Sequence, residues 1–105
     1  MVEYDLQIAR ELKKRLSQEF NVKEVRIFGS RARGDNDTYS DFDIFIEVDP
    51  LSREIKNRIR EIAWEIGIEN AVVISPIIFS SRELSATPLR SSPFVRNVFR
   101  EGIRI

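Results

Sequence analysis

Cysteine and histidine are both missing from this chain of 105 residues. Without cysteine there is no disulfide and no thiolate nucleophile or ligand. Without histidine the usual general base near neutral pH and the usual transition-metal ligand are gone. Any chemistry therefore falls to carboxylates, hydroxyls or a bound metal ion. A charge excess is lacking too, since seventeen Lys and Arg balance seventeen Asp and Glu. The total gives no sign of the broad electrostatic footprint of a nucleic-acid binder. No apolar run approaches the length of a membrane span, and the opening Met1-Val2-Glu3-Tyr4-Asp5 is polar and acidic. Neither a span nor a leader is expected, and the expected location is the cytoplasm.

What is present suits a folded domain. The chain is 42% hydrophobic and 32% charged, enough apolar material for a core and too much for a disordered chain. At this length one domain, residues 1–105, is expected, so function must come from one compact site or from a partner. The charges are uneven: residues 1–50 hold eleven acids and eight bases, while in residues 82–104 five arginines (Arg82, Arg90, Arg96, Arg100, Arg104) meet only Glu83 and Glu101. That tail could face a polyanion or an acidic partner, but a solvated face explains it first.

Ile8, Leu12, Leu16 and Phe20 recur every four positions and predict an amphipathic helix over Val2–Phe20. Val22–Phe28 alternates and stops at Gly29, which predicts a first strand. Phe42–Val48 is rich in β-branched and aromatic residues and predicts a second. Ile55, Ile59, Ile62 and Ile66 form another helical stripe, opened by Asp49-Pro50 or Ser52 and closed by Gly67. Ala71–Phe79 reads as a third strand that Pro76 confines to an edge or a bulge, and Phe94, Val95, Val98 and Phe99 mark a last helix stopped by Gly102. The order predicts a small α/β domain, a mixed sheet with helices packed on it. Trp64 is expected to cover the isoleucine stripe, and Tyr39 is an even choice between packing and stacking on a base.

The chemistry concentrates in residues 28–44. Gly29-Ser30-Arg31-Ala32-Arg33-Gly34 follows directly on a strand, and such a turn leaves backbone N–H groups and a hydroxyl free to approach phosphate oxygens. Arg31 and Arg33 would add positive charge there. Ser40-Asp41-Phe42-Asp43 then leads into the next strand, where residues two apart share a face. Asp41 and Asp43 would thus present two carboxylates to one side, a spacing that suits a shared Mg²⁺ or a pair of such ions. Alone, Gly29-Ser30 is an ordinary turn and the acid pair an ordinary guarded strand edge. Together they are far less ordinary, because Phe42, Ile44, Ile46 and Val48 bury one face and leave two acids repelling each other on the other. A calcium loop starting at Asp35 fails, with Tyr39, Ser40 and Ile46 where a ligand, glycine and glutamate are needed.

At these residues the sequence resembles the DNA polymerase beta-like nucleotidyltransferase superfamily, whose signature is Gly-Ser, about ten residues, then Asp-x-Asp. The spacer here, Arg31–Ser40, has that length. The preceding helix, the Ala32-Arg33-Gly34 continuation and the short chain are similar to the minimal nucleotidyltransferase (MNT) branch, some of whose members are antitoxins beside HEPN-domain toxins. The resemblance implies a nucleotidyltransferase, polymerase beta palm-like fold. It implies that Gly29, Ser30 and Arg33 hold ATP or another nucleoside triphosphate, while Asp41 and Asp43 are catalytic and hold Mg²⁺. The implied activity is transfer of a nucleoside monophosphate, AMP from ATP, to a hydroxyl; the alternative is a nucleotide-binding antitoxin or assembly module without turnover. A HEPN-domain protein and a second copy of the chain are the implied partners. The family's third carboxylate should stand on the next strand, but Ala71–Phe79 holds no acid, which leaves Glu69 as the better substitute and Glu47 as the other.

Overall fold

The computed structural model describes residues 3–35, 40–86 and 88–105. Along the chain run α1 (Glu3–Glu19), β1 (Val22–Ile27), α2 (Ser30–Arg33), β2 (Phe42–Val48), α3 (Arg53–Asn70), β3 (Ile74–Ser80), α4 (Ser81–Ala86), a 3₁₀ turn at Pro88–Ser91, α5 (Pro93–Glu101) and β4 (Ile103–Arg104). One four-stranded sheet has the order β3-β2-β1-β4. β1 runs antiparallel to β2 and to β4, and β2 runs parallel to β3. The expected mixed sheet with packed helices is present.

Alternation along the strands divides the sheet into two faces. Val25, Ile27, Phe42, Ile44, Ile46 and Val48 point one way and form the main core with Ile8, Ala9, Leu12 and Leu16 of α1 and Ile59, Ile62, Ala63 and Ile66 of α3. Removing a fully buried side chain of this kind, Phe42 or Leu12 for example, costs about 2–5 kcal/mol. On the opposite face Phe45 joins Leu84, Val95 and Val98, with Phe28 and Phe79 beside them. Through Phe28, whose N–H donates to the Asp43 carbonyl, the second cluster reaches the strand position beside Asp43.

Three sequence expectations are corrected. α3 does not close at Gly67 but continues to Asn70, because Ala71 takes the left-handed cap at φ 55° and its N–H reaches back to the carbonyls of Gly67 and Ile68. β3 therefore starts at Ile74. Trp64 does not cover the isoleucine stripe; it is 65% exposed on the outer side of α3. Of the two proposed starts for α3, the Ser52 hydroxyl is the cap, accepting from the Ile55 N–H at 3.1 Å. Pro76 does stand on an edge strand, where a missing N–H is tolerated. No described helix is long and apolar enough to cross a membrane.

Candidate functional site

β1 delivers the chain to Gly29 beside the start of β2, and the Phe28 N–H donates to the Asp43 carbonyl at 3.1 Å. At Gly29 the backbone takes φ 74°, a conformation open to glycine and strained for other residues. A methyl group added there would fall 2.5 Å from Asp43 Oδ2. The missing side chain is what lets the Gly-Ser turn close against the carboxylate. Ser30 opens the one-turn helix α2, whose first N–H groups have no carbonyl of their own helix to meet. Gly34, at φ 82°, ends it with an N–H to the Ser30 carbonyl.

Asp43 is half-buried on β2 and faces away from α1 and α3, on the side of Phe45. Asp41, just before the strand, is exposed. Burial pushes the Asp43 carboxyl above its ordinary value and the charge of Asp41 adds to the rise, while Arg31 and Arg33 oppose it. The two carboxylates thus feel each other, as their spacing predicts. Among the described residues no group of three or more acids could hold a metal. A donor set of two carboxylates is a fair match for Mg²⁺, which takes one or two from a protein and completes its shell with phosphate and water oxygens.

The other predicted residues divide. Arg33 is exposed at the end of α2 and donates to Asp35 at 3.2 Å. Arg31, expected with Arg33 to add positive charge at the turn, is instead buried and paired with Asp5 at 3.0 Å. Glu69, the better substitute for the third carboxylate, is not brought to Asp43: it lies on α3, which packs on the sheet face opposite Asp43, and both its oxygens are held by Arg15. Arg15 holds the Glu69 carboxyl below its ordinary value. Glu47 shares the Asp43 face but accepts from the Ser81 hydroxyl at 2.7 Å and lines a cavity of about 670 Å³ beside α4 and α5 that Gly29, Ser30, Arg33, Asp41 and Asp43 do not line. The β3 residue in register with Asp43 is Ser75. A hydroxyl therefore stands where an acid on the next strand would. Tyr39 and Asp37 lie outside the described residues.

Sequence reasoning missed the Asp5–Arg31 pair. The signal was there in Asp5, which stands three residues before Ile8 on the stripe that α1 buries; an acid in that row calls for a buried partner.

The model of the nucleotidyltransferase domain family matches residues 9–104. MJ0141 of Methanocaldococcus jannaschii, provisionally named a protein adenylyltransferase, is 40% identical over 78 residues, 70% of this chain and 78% of that protein. MJ1215 of the same organism, with the same provisional name, is 46% identical over 41 residues, 39% of this chain and 48% of that protein. In fold, a chain from the crystal structure of a toxin-antitoxin with AMP-PNP superposes with a TM-score of 0.59 at 18% identity, covering 90% of this chain and 69% of the other. A Sulfolobus solfataricus structure, provisionally described as a nucleotidyltransferase, gives 0.58 at 22% identity, covering 96% and 78%.

Proposed function

The chain belongs to the nucleotidyltransferase domain family, and from that premise we propose that residues 1–105 form one domain that transfers AMP from ATP to a hydroxyl of a partner protein. The carrying observation is the closure of the Gly29-Ser30 turn on Asp43, with the glycine's empty Cβ position 2.5 Å from the carboxylate. A triphosphate lying along that turn meets backbone N–H groups, the Ser30 hydroxyl and the Arg33 guanidinium. Asp41 and Asp43 would hold one or two Mg²⁺ ions beside it, and the cation, when bound, supplies positive charge to the phosphate oxygens. In the transfer an acceptor oxygen bonds to the α-phosphorus as that phosphorus loses its bond to the β-phosphate bridging oxygen. Pyrophosphate leaves and the acceptor's proton passes to solvent.

Adenylyl transfer to protein is favoured by the provisional names of the two Methanocaldococcus relatives. A toxin partner of the HEPN class is favoured by the MNT resemblance and by the toxin-antitoxin neighbour. A second reading, nucleotide binding without turnover, draws on Ser75 at the position in register with Asp43. Incubation with α-labelled ATP, Mg²⁺ and a HEPN-domain protein separates the two. Label on the partner, lost in Asp43→Asn, supports transfer. Tight Mg²⁺-ATP binding with no labelled product supports the second reading, and no binding at all removes both.

A further inference from the structure

A buried ion pair lies between the two halves of the motif. Arg31 is 7% exposed and Asp5 is 2% exposed. Arg31 Nη1 donates to Asp5 Oδ1 at 3.0 Å, and Arg31 Nη2 donates to the Ser40 carbonyl at 2.9 Å. The guanidinium lies over the Phe42 ring, 5.0 Å from its centroid. Its Nε is buried with no hydrogen-bond partner among the described residues.

Stability does not account for this arrangement. Two desolvated charges and an unsatisfied N–H are a poor return when apolar residues of like volume commonly serve the core as well or better. What the arrangement does achieve is geometric. Arg31 directly follows Ser30, Ser40 directly precedes Asp41, and Phe42 separates Asp41 from Asp43. One rigid, planar group anchored on α1 thus ties the residue after Ser30 to the residue before Asp41, and adds a side-chain link to the backbone pairing of Phe28 with Asp43.

We infer that Arg31, held by Asp5, is a positioning residue that sets the distance between the phosphate-facing Ser30 turn and the cation-facing Asp41 and Asp43. The inference rests on the proposed nucleotide and cation site. Arg31 itself touches neither ligand: it acts through Ser30 on one side and through Ser40 on the other.

Arg31→Lys tests this, because a lysine keeps a positive charge against Asp5 but replaces the rigid fork that spans Asp5 and the Ser40 carbonyl with a point charge on a flexible stem. The probe is a fluorescent ATP analogue at fixed concentration, and the reading is the Mg²⁺ concentration for half-maximal binding. Loss of a group that orients metal ligands typically costs 10- to 100-fold in metal affinity, so that concentration should rise about 10- to 100-fold in Arg31→Lys at unchanged binding stoichiometry. Arg58→Gln, which removes an exposed pair between α3 and α1, should leave it within about twofold of wild type. A folded Arg31→Lys with the wild-type Mg²⁺ requirement overturns the inference. If Arg31→Lys does not fold, Asp5→Asn decides by the same reading: a rise of several-fold supports the inference and an unchanged value overturns it. A wild-type protein whose analogue binding ignores Mg²⁺ overturns the functional reading, and this inference with it.

Discussion

At Gly29 and Asp43 the site is a matter of one missing side chain and one uncomfortable charge. Gly29→Val places a branched side chain on a positive φ and drives it into the Asp43 carboxylate, whereas Ser30→Ala removes one hydroxyl and keeps the backbone donors. A single hydrogen bond to a charged group such as a phosphate oxygen is worth about 1.5–3 kcal/mol, so Ser30→Ala should weaken nucleotide binding by no more than about 100-fold, and Gly29→Val should weaken it further; equal or reversed losses by titration would show that the turn does not meet phosphate. Asp43 gives a prediction in pH. Its folded value is raised, so the stabilising contribution is full below the ordinary aspartate value of about 3.9 and is lost as pH rises through the raised folded value. Without metal, Asp43→Asn should therefore melt higher than wild type at pH 7, with the gap closing as pH falls through the raised folded value and gone below about 4. A gap that ignores pH would contradict the burial and repulsion assigned to Asp43. Ser75 carries the third residue-scale prediction: Ser75→Asp, in register with Asp43, should raise label transfer by up to about 10²-fold. No gain in the labelling assay would mean that position 75 does not face the reacting oxygen.

Helix α3 shows both how an element is read from sequence and where that reading stops. Its stripe Ile59, Ile62 and Ile66 is buried as the spacing predicts, because a period of 3–4 apolar positions has little choice but to meet the sheet. Its end is another matter. Glycine usually takes the left-handed cap, but here Gly67 stays helical, its missing side chain making room for the Val72 carbonyl oxygen 2.6 Å from where a Cβ would stand, while Ala71 takes the cap. Left-handed backbone costs a non-glycine residue about 1–2 kcal/mol, against about 0.4–1 kcal/mol of extra unfolded-chain entropy for glycine. Ala71→Gly should then stabilise the domain by up to about 1 kcal/mol, which calorimetry would register as a rise of roughly 4–8 °C; a lower melting temperature would contradict the cap. The strands β1 and β2 were legible from alternation. α4, the 3₁₀ turn and β4 were not, because each is short and β4 pairs through only two residues, so tertiary contact and not local pattern decides them. Trp64 was misjudged for a related reason. The stripe it was meant to cover is already closed by α1 and the sheet.

Across the whole molecule the sheet separates support from chemistry. One face carries the main core, α1 and α3, and the exposed pairs Arg15–Glu69 and Arg58–Glu19 that link those helices. The other presents Asp43, Phe45 and Glu47. The closure of the Gly29-Ser30 turn on Asp43 was legible because Gly29-Ser30 and Asp41/Asp43 are contiguous motifs whose period and glycine fix their geometry locally. The third position was not, since it depends on the parallel register of β2 with β3, which brings Ser75 to Asp43 and leaves Glu69 on the far side. Glu69→Gln should accordingly leave nucleotide binding unchanged and barely move the melting temperature, as befits an exposed pair; a loss of Mg²⁺-dependent binding would return Glu69 to the site. The most direct test of the account is a calorimetric titration of ATP into wild type and Asp43→Asn, each with and without Mg²⁺. The account predicts binding that Mg²⁺ strengthens in wild type and a folded Asp43→Asn in which Mg²⁺ makes no difference. Equal Mg²⁺-dependent affinity in the two proteins would contradict it.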